Sequence, residues 1–336
     1  MNSISTLITE YLDSCRTQKC LDEKTLKAYR IDLRQFSDFI SDSTQIEVIT
    51  DITSETLENY ISRLHVEYKP KTAKRKIASI KALFHYCEYK DLIDRNPFSK
   101  IHTRFREPVI LPKTIPLHIV ESFLSTIYTR RSEAGTAYQR RNALRDAAVI
   151  ELLFSSGIRI SELCNLKNDN VNLIDGTILI YGKGDKERYI QLASDDVIHI
   201  LDEYRRSFST EISSSAHFFV NQSGAPLSDQ SVRRMINKYC SLAAIDLHIT
   251  PHMFRHTFAT MALSSGVDVK TLSSMLGHYS AGFTLDTYTH ITNDMQRGAA
   301  EKIGGFMESA TATTTPEPPD PPEESRCKVI PFERVG

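Results

Sequence analysis

Apolar residues recur three and four positions apart through the first part of the chain. This spacing places them on one face of a helix and predicts amphipathic helices that bury that face. The segments with this pattern are 3–13, 21–40, 53–64 and 72–89. The pattern therefore predicts a compact domain of four helices over residues 1–106.

Prolines interrupt this pattern after the fourth segment. Asn96-Pro97, Pro108 and Pro112 follow one another closely, and each proline removes a backbone donor that a helix interior needs. We therefore expect a linker at 107–114 and a second domain at 115–308.

The second domain combines helical periodicity with one short stretch of strict alternation. A strongly apolar run at 145–154 has the composition of a buried helix. Alternation at 177–181 and 187–192, around a Gly-Lys-Gly-Asp turn, predicts a β-hairpin. Further helices are expected at 116–127, 195–207, 228–244 and 293–307. The predicted fold class is mainly α, with a small antiparallel sheet in the second domain.

The final segment, 309–336, changes in composition. It contains TATTTPEPPDPPEES, which is rich in proline and acidic residues and poor in apolar ones. Such a segment buries too little apolar surface to offset the entropy of ordering, so we expect it to be disordered.

The stretch at 249–290 carries the side chains with the most evident chemistry. His252 and Arg255 lie three positions apart on a predicted helix, so they share a face. His278 follows a second predicted helix, and Tyr288 comes ten positions later. Singly, such residues more often cap helices, form ion pairs or fill cores. Together, a guanidinium, two imidazoles and a phenol suit chemistry on a phosphate.

A metal site is the alternative interpretation of the same stretch. His252 and His256 have the spacing of paired zinc ligands, but the zincin pattern needs Glu where Met253 stands. No Cys-x-x-Cys pair or third ligand accompanies them. We therefore predict no metal and no cofactor, and interpret His256 and His290 as structural.

Composition limits the class of protein. With 336 residues, 40% of them hydrophobic, the chain can bury the cores of about two domains. Its six cysteines show no metal or redox spacing, which indicates a reducing compartment. No signal peptide and no apolar run of membrane-spanning length is apparent. We expect a cytoplasmic protein without a membrane partner.

The formal net charge of −1 hides a basic stretch at 69–106. This stretch contains eleven Lys and Arg residues against three Asp and Glu residues. A solvated helix face is the usual explanation, but the density of cations at a helix N-terminus favours phosphate contact. The residues predicted to contact DNA are Lys69, Lys71, Lys74, Arg75, Lys76, Arg104 and Arg106.

Four pieces of the chain resemble the tyrosine recombinases of the Xer and phage-integrase family: SSGIRISELCNL, YGKGDKERYI, PHMFRHTFAT and LGHYSAGFTLDTYTH. The resemblance implies a SAM-like core-binding domain at 1–106 and a catalytic domain with the DNA breaking-rejoining fold at 115–308. The positions that match the family's catalytic residues are Arg159, Lys183, His252, Arg255, His278 and Tyr288.

The resemblance also implies the chemistry. Tyr288 would attack the scissile phosphate, leaving a 3′-phosphotyrosyl link and a free 5′-hydroxyl. Arg159 and Arg255 would hold the non-bridging oxygens, because guanidinium forks match phosphate geometry. Lys183 would protonate the departing 5′-oxygen as general acid.

Three further roles follow from the same resemblance. His252 would hydrogen-bond the phosphate or act as general base toward Tyr288. His278 would hold or orient a phosphate oxygen, and Glu162 would support Arg159.

The implied partner is double-stranded DNA, held by four copies of the chain or by the chain and a related recombinase. Strand exchange would need neither metal nor ATP, because the tyrosyl link conserves the phosphodiester energy. The helical domain starts almost at Met1, so no arm-binding domain is expected. DNA integration or excision and the resolution of chromosome or plasmid dimers both fit this pattern.

Two other functions stay open at this point. One is a relaxing activity like that of type IB topoisomerases, with the same chemistry but without synapsis. The other is a DNA-binding regulatory or architectural protein without catalysis. Against the latter, such a protein has no physical need for all six catalytic positions.

One spacing departs from the Xer pattern. Tyr288 follows His278 by ten positions, one more than the pattern has, and Ala281-Gly282 is the expected place of the extra residue. Tyr279 lies too close to the preceding helix end to replace Tyr288 as nucleophile.

Overall fold

The computed structural model describes residues 3–44, 46–101, 103, 105, 112–182, 187–278, 280–288, 300–301 and 303. The chain forms two compact units, Met1–Ile110 and Leu111–Gly336. The division falls inside the expected linker, but residues 106–111 lie outside the described residues, so the linker at 107–114 stays a prediction. The tail at 309–336 and most of the helix expected at 293–307 also lie outside them.

The first unit contains the four predicted helices. They are α1 (Ile4–Thr17), α2 (Glu23–Ser43), α3 (Ser54–Glu67) and α4 (Pro70–Tyr89), with short 3-10 helices at Ile49–Asp51 and Pro97–Lys100. Polar side chains start the helices: Asp22 accepts a hydrogen bond from the Thr25 amide, and Thr53 accepts one from the Thr56 amide. The apolar faces of the helices meet in one core.

A buried carboxylate joins α2 to α4 within this unit. Asp32 has no exposed surface, and it accepts hydrogen bonds from Arg75, from Lys76 (3.3 Å) and from the Ser79 hydroxyl (2.9 Å). Lys76 also donates to Gln35 and is only 2% exposed. The prediction that Lys76 contacts DNA is therefore wrong, because its ammonium group is held inside the domain by Asp32.

The other predicted DNA-contacting residues of this run are exposed. They are Lys69 at the N-cap of α4, and Lys71, Lys74 and Arg75 on its first turns. Arg75 also bonds Asp32, but its side chain remains 45% exposed, so all four stay candidates for phosphate contact. Arg104 and Arg106 lie outside the described residues.

We expect Asp32→Ala to destabilise the first unit by about 3–5 kcal/mol, because it leaves the Lys76 ammonium buried without its carboxylate. Hydrogen exchange of the α2 and α4 amides measures this loss, with the α6 amides of the second unit as internal reference. Asp38→Ala, an exposed position on the same helix, is the matched control and should change the opening free energy by less than about 0.5 kcal/mol. Equal exchange in the two variants would contradict the role of Asp32 as the buried partner of Lys76.

The second unit is mainly helical, as predicted. Its helices are α5 (Leu117–Ser132), α6 (Ala137–Ser156), α7 (Ile160–Cys164), α8 (Asp195–Ser207), α9 (Ser209–Ser213), α10 (Asp229–Leu242), α11 (Pro251–Ser264) and α12 (Val269–Leu276). Residues 281–288 are also helical. None of the helices in the described part of the chain is long and apolar enough to cross a membrane.

A three-stranded antiparallel sheet interrupts the helices. Its strands are β1 (Val171–Asn172), β2 (Thr177–Tyr181) and β3 (Glu187–Gln191), in the order β1-β2-β3. Ile178 pairs with Ile190, and both face the core. The predicted hairpin is confirmed. The sequence pattern missed β1, which is too short to show alternation.

Helix α6 starts earlier than its apolar pattern indicates. Thr136 caps it by accepting from the Gln139 amide at 3.2 Å, while the Gln139 side chain accepts from the Thr136 amide at 3.3 Å. The first two turns are polar and solvent-exposed, so hydrophobic periodicity detected only the buried part of the helix.

Candidate active site

Two helices of the second unit end at glycines that bring their last carbonyl groups together. Gly157 follows α6 with φ 61°, and Gly277 follows α12 with φ 63°, both in the left-handed region. A Cβ atom at Gly157 would lie 2.5 Å from Phe258, and one at Gly277 would lie 2.9 Å from an Arg188 nitrogen. The left-handed backbone therefore favours glycine at both positions, and at Gly157 the Phe258 ring also leaves no room for a side chain.

Arg255 binds both of these helix ends. Its Nη1 donates to the Gly157 carbonyl at 2.8 Å, and its Nη2 donates to the Leu276 carbonyl at 2.6 Å. Helix C-termini carry partial negative charge, which stabilises a cation there. Burial, with the neighbouring charge of Arg159, lowers the pKa of Arg255 to about 9, so the group remains charged at neutral pH.

Arg159 lies at the start of α7, next to the same helix ends. Its Nη2 donates to the Gly277 carbonyl at 2.9 Å, and its Nη1 donates to Glu162 Oε1 at 2.8 Å. Glu162 also accepts from the Arg159 amide at 3.0 Å. The expected support of Arg159 by Glu162 is therefore present.

The structure adds Arg188 on β3 to this cluster. Arg188 donates to both oxygens of Glu162, at 2.9 and 2.6 Å, and to the Met275 carbonyl at 3.0 Å. Burial alone would raise the pKa of Glu162, but the bonds and charges of Arg188 and Arg159 lower it below its ordinary value. Arg188 was not singled out from the sequence. The strand pattern could have indicated its inward position, because Arg188 lies two residues before the buried Ile190 and so shares its face of the strand.

The charges of the guanidinium groups act on two of the predicted catalytic histidines, His252 and His278. Burial, followed by the charges of Arg255 and other arginines, lowers the pKa of His252 below its ordinary value. The same causes lower the pKa of His278 to about 4. Both rings are therefore neutral at pH 7 and able to donate one hydrogen bond without adding charge.

A buried threonine holds the His278 ring. His278 Nδ1 lies 2.6 Å from the hydroxyl of Thr284, which has no exposed surface. When this hydroxyl donates to Nδ1, the ring proton lies on Nε2, where it is available to a phosphate oxygen. Thr284 belongs to the helix at 281–288 that carries Tyr288, so docking of that helix also orients His278.

Tyr288 lies buried at the end of that helix, with 1% of its surface exposed. Its hydroxyl is 2.8 Å from Nδ1 of His256. Burial raises the pKa of Tyr288 to about 12, although the charge of Arg255 opposes the shift. The interpretation of His256 as purely structural missed this contact with the predicted nucleophile.

The extra residue before Tyr288 does not keep it from the cluster. Ala281 and Gly282 lie exposed at the start of the helix at 281–288, and Tyr288 at its end still reaches His256. His290 and Tyr279 lie outside the described residues.

Five of the six predicted catalytic residues therefore converge, while Lys183 lies outside the described residues. The converging residues are Arg159, His252, Arg255, His278 and Tyr288. No group of three His, Cys, Asp or Glu residues in the described ranges is placed to hold a metal ion. Two guanidinium groups beside a phenol and two neutral imidazoles form a site that can bind and attack a phosphate diester.

Sequence comparison agrees with this geometry. The phage integrase family matches residues 128–295, and the phage integrase N-terminal SAM-like domain matches residues 8–90. A tyrosine recombinase of Agathobacter rectalis is 62% identical over 297 residues, covering 88% of this chain and 95% of the relative. The chain belongs to the phage integrase family of tyrosine recombinases.

More distant relatives extend the match to nearly the whole chain. Tyrosine recombinase XerC of Oceanobacillus iheyensis is 31% identical over 90% of this chain and 97% of its own length. The fold is similar to that of XerH site-specific recombinase in a post-cleavage complex with palindromic difH substrate. That comparison has a TM-score of 0.68 and 20% identity, and it covers 89% of this chain and 84% of XerH.

In this tyrosine recombinase we expect Arg188→Ala to reduce stability by about 3–5 kcal/mol, because the buried Glu162 loses a partner that binds both its oxygens. Because the pKa of Glu162 is lowered in the folded protein, the charged carboxylate stabilises the fold at neutral pH. This stabilisation is lost as the pH falls through that pKa. Removing Arg188 raises the pKa, so the loss begins at higher pH. Calorimetric melting between pH 3 and pH 7 measures both effects.

Arg206→Ala provides the matched control, since Arg206 pairs with Asp202 at the surface with 77% of its side chain exposed. Such exposed pairs contribute about 0–1 kcal/mol. If both variants melted alike at every pH, the structural role of Arg188 would be disproved.

Proposed function

We propose that this tyrosine recombinase cleaves and rejoins DNA strands at specific sites, with Tyr288 as the nucleophile that forms a 3′-phosphotyrosyl link. The observation that carries the proposal is the position of Arg159 and Arg255, two guanidinium groups at the same pair of helix ends, beside the Tyr288 phenol. Backbone carbonyls and one carboxylate hold these cations in place before any DNA arrives.

The two arginines act as a phosphate clamp. Each guanidinium has five N–H donors, and the protein bonds to Arg159 and Arg255 occupy two donors of each side chain. The remaining donors bind the non-bridging oxygens, which gain negative charge in the transition state. Donors fixed in advance stabilise that charge without reorganisation, so this clamp supplies the largest part of the catalysis.

We assign the general acid to Lys183, which stands in the sequence between β2 and β3. The support comes from its sequence position and from β3 itself, where Arg188 bonds Glu162 and thereby joins the strand to the Arg159 support. Lys183 donates a proton to the 5′-oxygen as the P–O5′ bond breaks. His252 and His278 donate hydrogen bonds to the phosphate from neutral rings.

The substrate in this proposal is double-stranded DNA, bound by both units and exchanged in an assembly of four copies, or of the chain with a related recombinase. The exposed cations of α4 contact the phosphate backbone.

We place the protein in the cytoplasm, because its substrate is DNA and its relatives come from bacteria. Integration or excision of a mobile element and resolution of chromosome or plasmid dimers use the same chemistry.

The other two functions receive less support. A regulatory or architectural protein needs no pair of arginines beside a tyrosine, and the proximity of Arg159, Arg255 and Tyr288 therefore favours catalysis. A relaxing enzyme shares the covalent step and differs in lacking synapsis, so a strand-exchange assay with two duplexes separates it from a recombinase.

We expect Tyr288→Phe to abolish covalent attachment to DNA while leaving DNA binding within about two-fold, because only the attacking oxygen is removed. The assay uses nicked suicide duplexes containing the recombination site, without metal or ATP, followed by a denaturing gel. Tyr128→Phe, which removes a hydroxyl bonded to Glu151 elsewhere in the unit, is the matched control and should attach normally. An adduct that persists in Tyr288→Phe would show that another residue is the nucleophile.

Replacing Lys69, Lys71 and Lys74 with Ala should weaken binding to all DNA sequences alike. If each lysine neutralises one phosphate, the slope of log K against log salt concentration should fall by about 1 per lysine. Fluorescence anisotropy over a salt series measures this slope. The same change of charge on α2, at Lys24, Lys27 and Arg30, is the control. An unchanged slope in the α4 variant would show that these lysines do not contact phosphates and form an ordinary solvated helix face.

A further inference from the structure

The hydroxyl of Tyr288 has a specific partner that the six expected catalytic positions do not include. His256 Nδ1 lies 2.8 Å from Tyr288 Oη, and the two rings meet edge to face with centroids 5.9 Å apart. Tyr288 is almost fully buried, so this contact is shielded from solvent. Within the described part of the chain, His252 makes no hydrogen bond to Tyr288 Oη.

The environment determines which atom carries the proton. Burial, followed by the charges of His252 and Arg255, lowers the pKa of His256 to about 4. Burial raises the pKa of Tyr288 to about 12. At neutral pH the phenol is therefore protonated and the imidazole is neutral, so a ring with its proton on Nε2 accepts the phenol proton at Nδ1.

We propose that His256 is the general base of the cleavage step, taking the Tyr288 proton on Nδ1 as Tyr288 Oη attacks the scissile phosphate. This inference rests on the proposed function, since it concerns the proton of the same nucleophile. It reassigns to His256 a role that the family resemblance left open for His252.

The proton and electron transfers balance in both directions. During cleavage the Oη–H proton moves to His256 Nδ1, the P–Oη bond forms, the P–O5′ bond breaks, and O5′ takes a proton from Lys183. During rejoining a 5′-hydroxyl gives its proton to Lys183 and attacks phosphorus, the P–O5′ bond forms, the P–Oη bond breaks, and Oη takes the proton back from His256. The wide gap between the two pKa values prevents a free phenolate from forming first, so the proton moves during the attack.

The position of His252 fits a different task. His252 lies one helical turn before His256 on α11, on the same face of the helix. The charges of Arg255, Arg233 and Arg159 act on its ring, as expected for a group that meets a phosphate anion. His256 is less exposed than His252 and contacts the Tyr288 hydroxyl. The two histidines therefore have different roles. His252 donates a hydrogen bond to the phosphate, and His256 accepts the proton of the nucleophile.

The test measures the rate of covalent attachment to a suicide duplex by the full chain carrying His256→Asn. The Asn amide can retain a hydrogen bond near the Nδ1 position but cannot accept a proton at neutral pH. We expect attachment to slow by about 10²–10⁴-fold, the usual contribution of a general base. DNA affinity and melting temperature should stay at the wild-type values.

Two chemical rescues separate base catalysis from positioning. Fluorotyrosine at position 288 has a more acidic phenol that ionises without help, so it should restore attachment by His256→Asn to within about tenfold of wild type. A substrate with sulfur at the 5′-bridging position needs no proton on its leaving group. It should rescue Lys183→Ala but leave His256→Asn slow.

Several outcomes would overturn the inference. Wild-type attachment rates in His256→Asn, or rescue of that variant by the bridging sulfur, would show that His256 does not take the proton. Failure of fluorotyrosine to rescue it would reduce His256 to a positioning residue. If wild-type protein formed no adduct on its recombination site, the proposed function would fail and this inference with it. If wild-type protein forms the adduct normally, a contrary result with His256→Asn would contradict only the assignment of His256 as general base.

Discussion

The Glu162 carboxylate holds the cationic centre of this molecule together. It bonds Arg159 and Arg188 directly and offsets part of the charge of Arg255. Burying guanidinium groups side by side is costly unless each finds partners. Glu162 supplies one set of partners, and the carbonyl groups at the ends of α6 and α12 supply the other. A Cβ atom at Gly157 would meet Phe258 and Leu276, and one at Gly277 would meet Arg188, so the packing of the second unit and the charge of its site depend on each other.

The helix carrying Tyr288, the proposed nucleophile, is attached to this centre at two points. Thr284 bonds His278, and Tyr288 bonds His256. One contact orients the imidazole ring of His278, and the other holds the hydroxyl of the proposed nucleophile. A helix that docks through both contacts brings the phenol and the oriented imidazole into the site together. Docking of this short helix thus couples the placement of the Tyr288 phenol to the orientation of His278.

Most of the architecture could be predicted from the sequence, because amphipathic helices and alternating strands leave strong periodic signals. Five of the six proposed catalytic residues also lie close together in the structure, namely Arg159, His252, Arg255, His278 and Tyr288. The sequence was insufficient where partners are distant in the chain. Lys76 looked like one more surface cation, since nothing local shows that Asp32 is buried beneath it. Arg188 and His256 gain their roles from Glu162 and Tyr288, which tertiary packing alone brings to them.

The central claim is that Tyr288 becomes covalently joined to DNA, and peptide mapping of the trapped adduct tests it most directly. Trypsin should release residues 271–297 as one peptide that contains both Tyr279 and Tyr288. After nuclease digestion, tandem mass spectrometry locates the remaining nucleotide within that peptide. We predict a 3′-phosphonucleotide on Tyr288. The same mass on Tyr279, or on a peptide from elsewhere in the chain, would contradict the account.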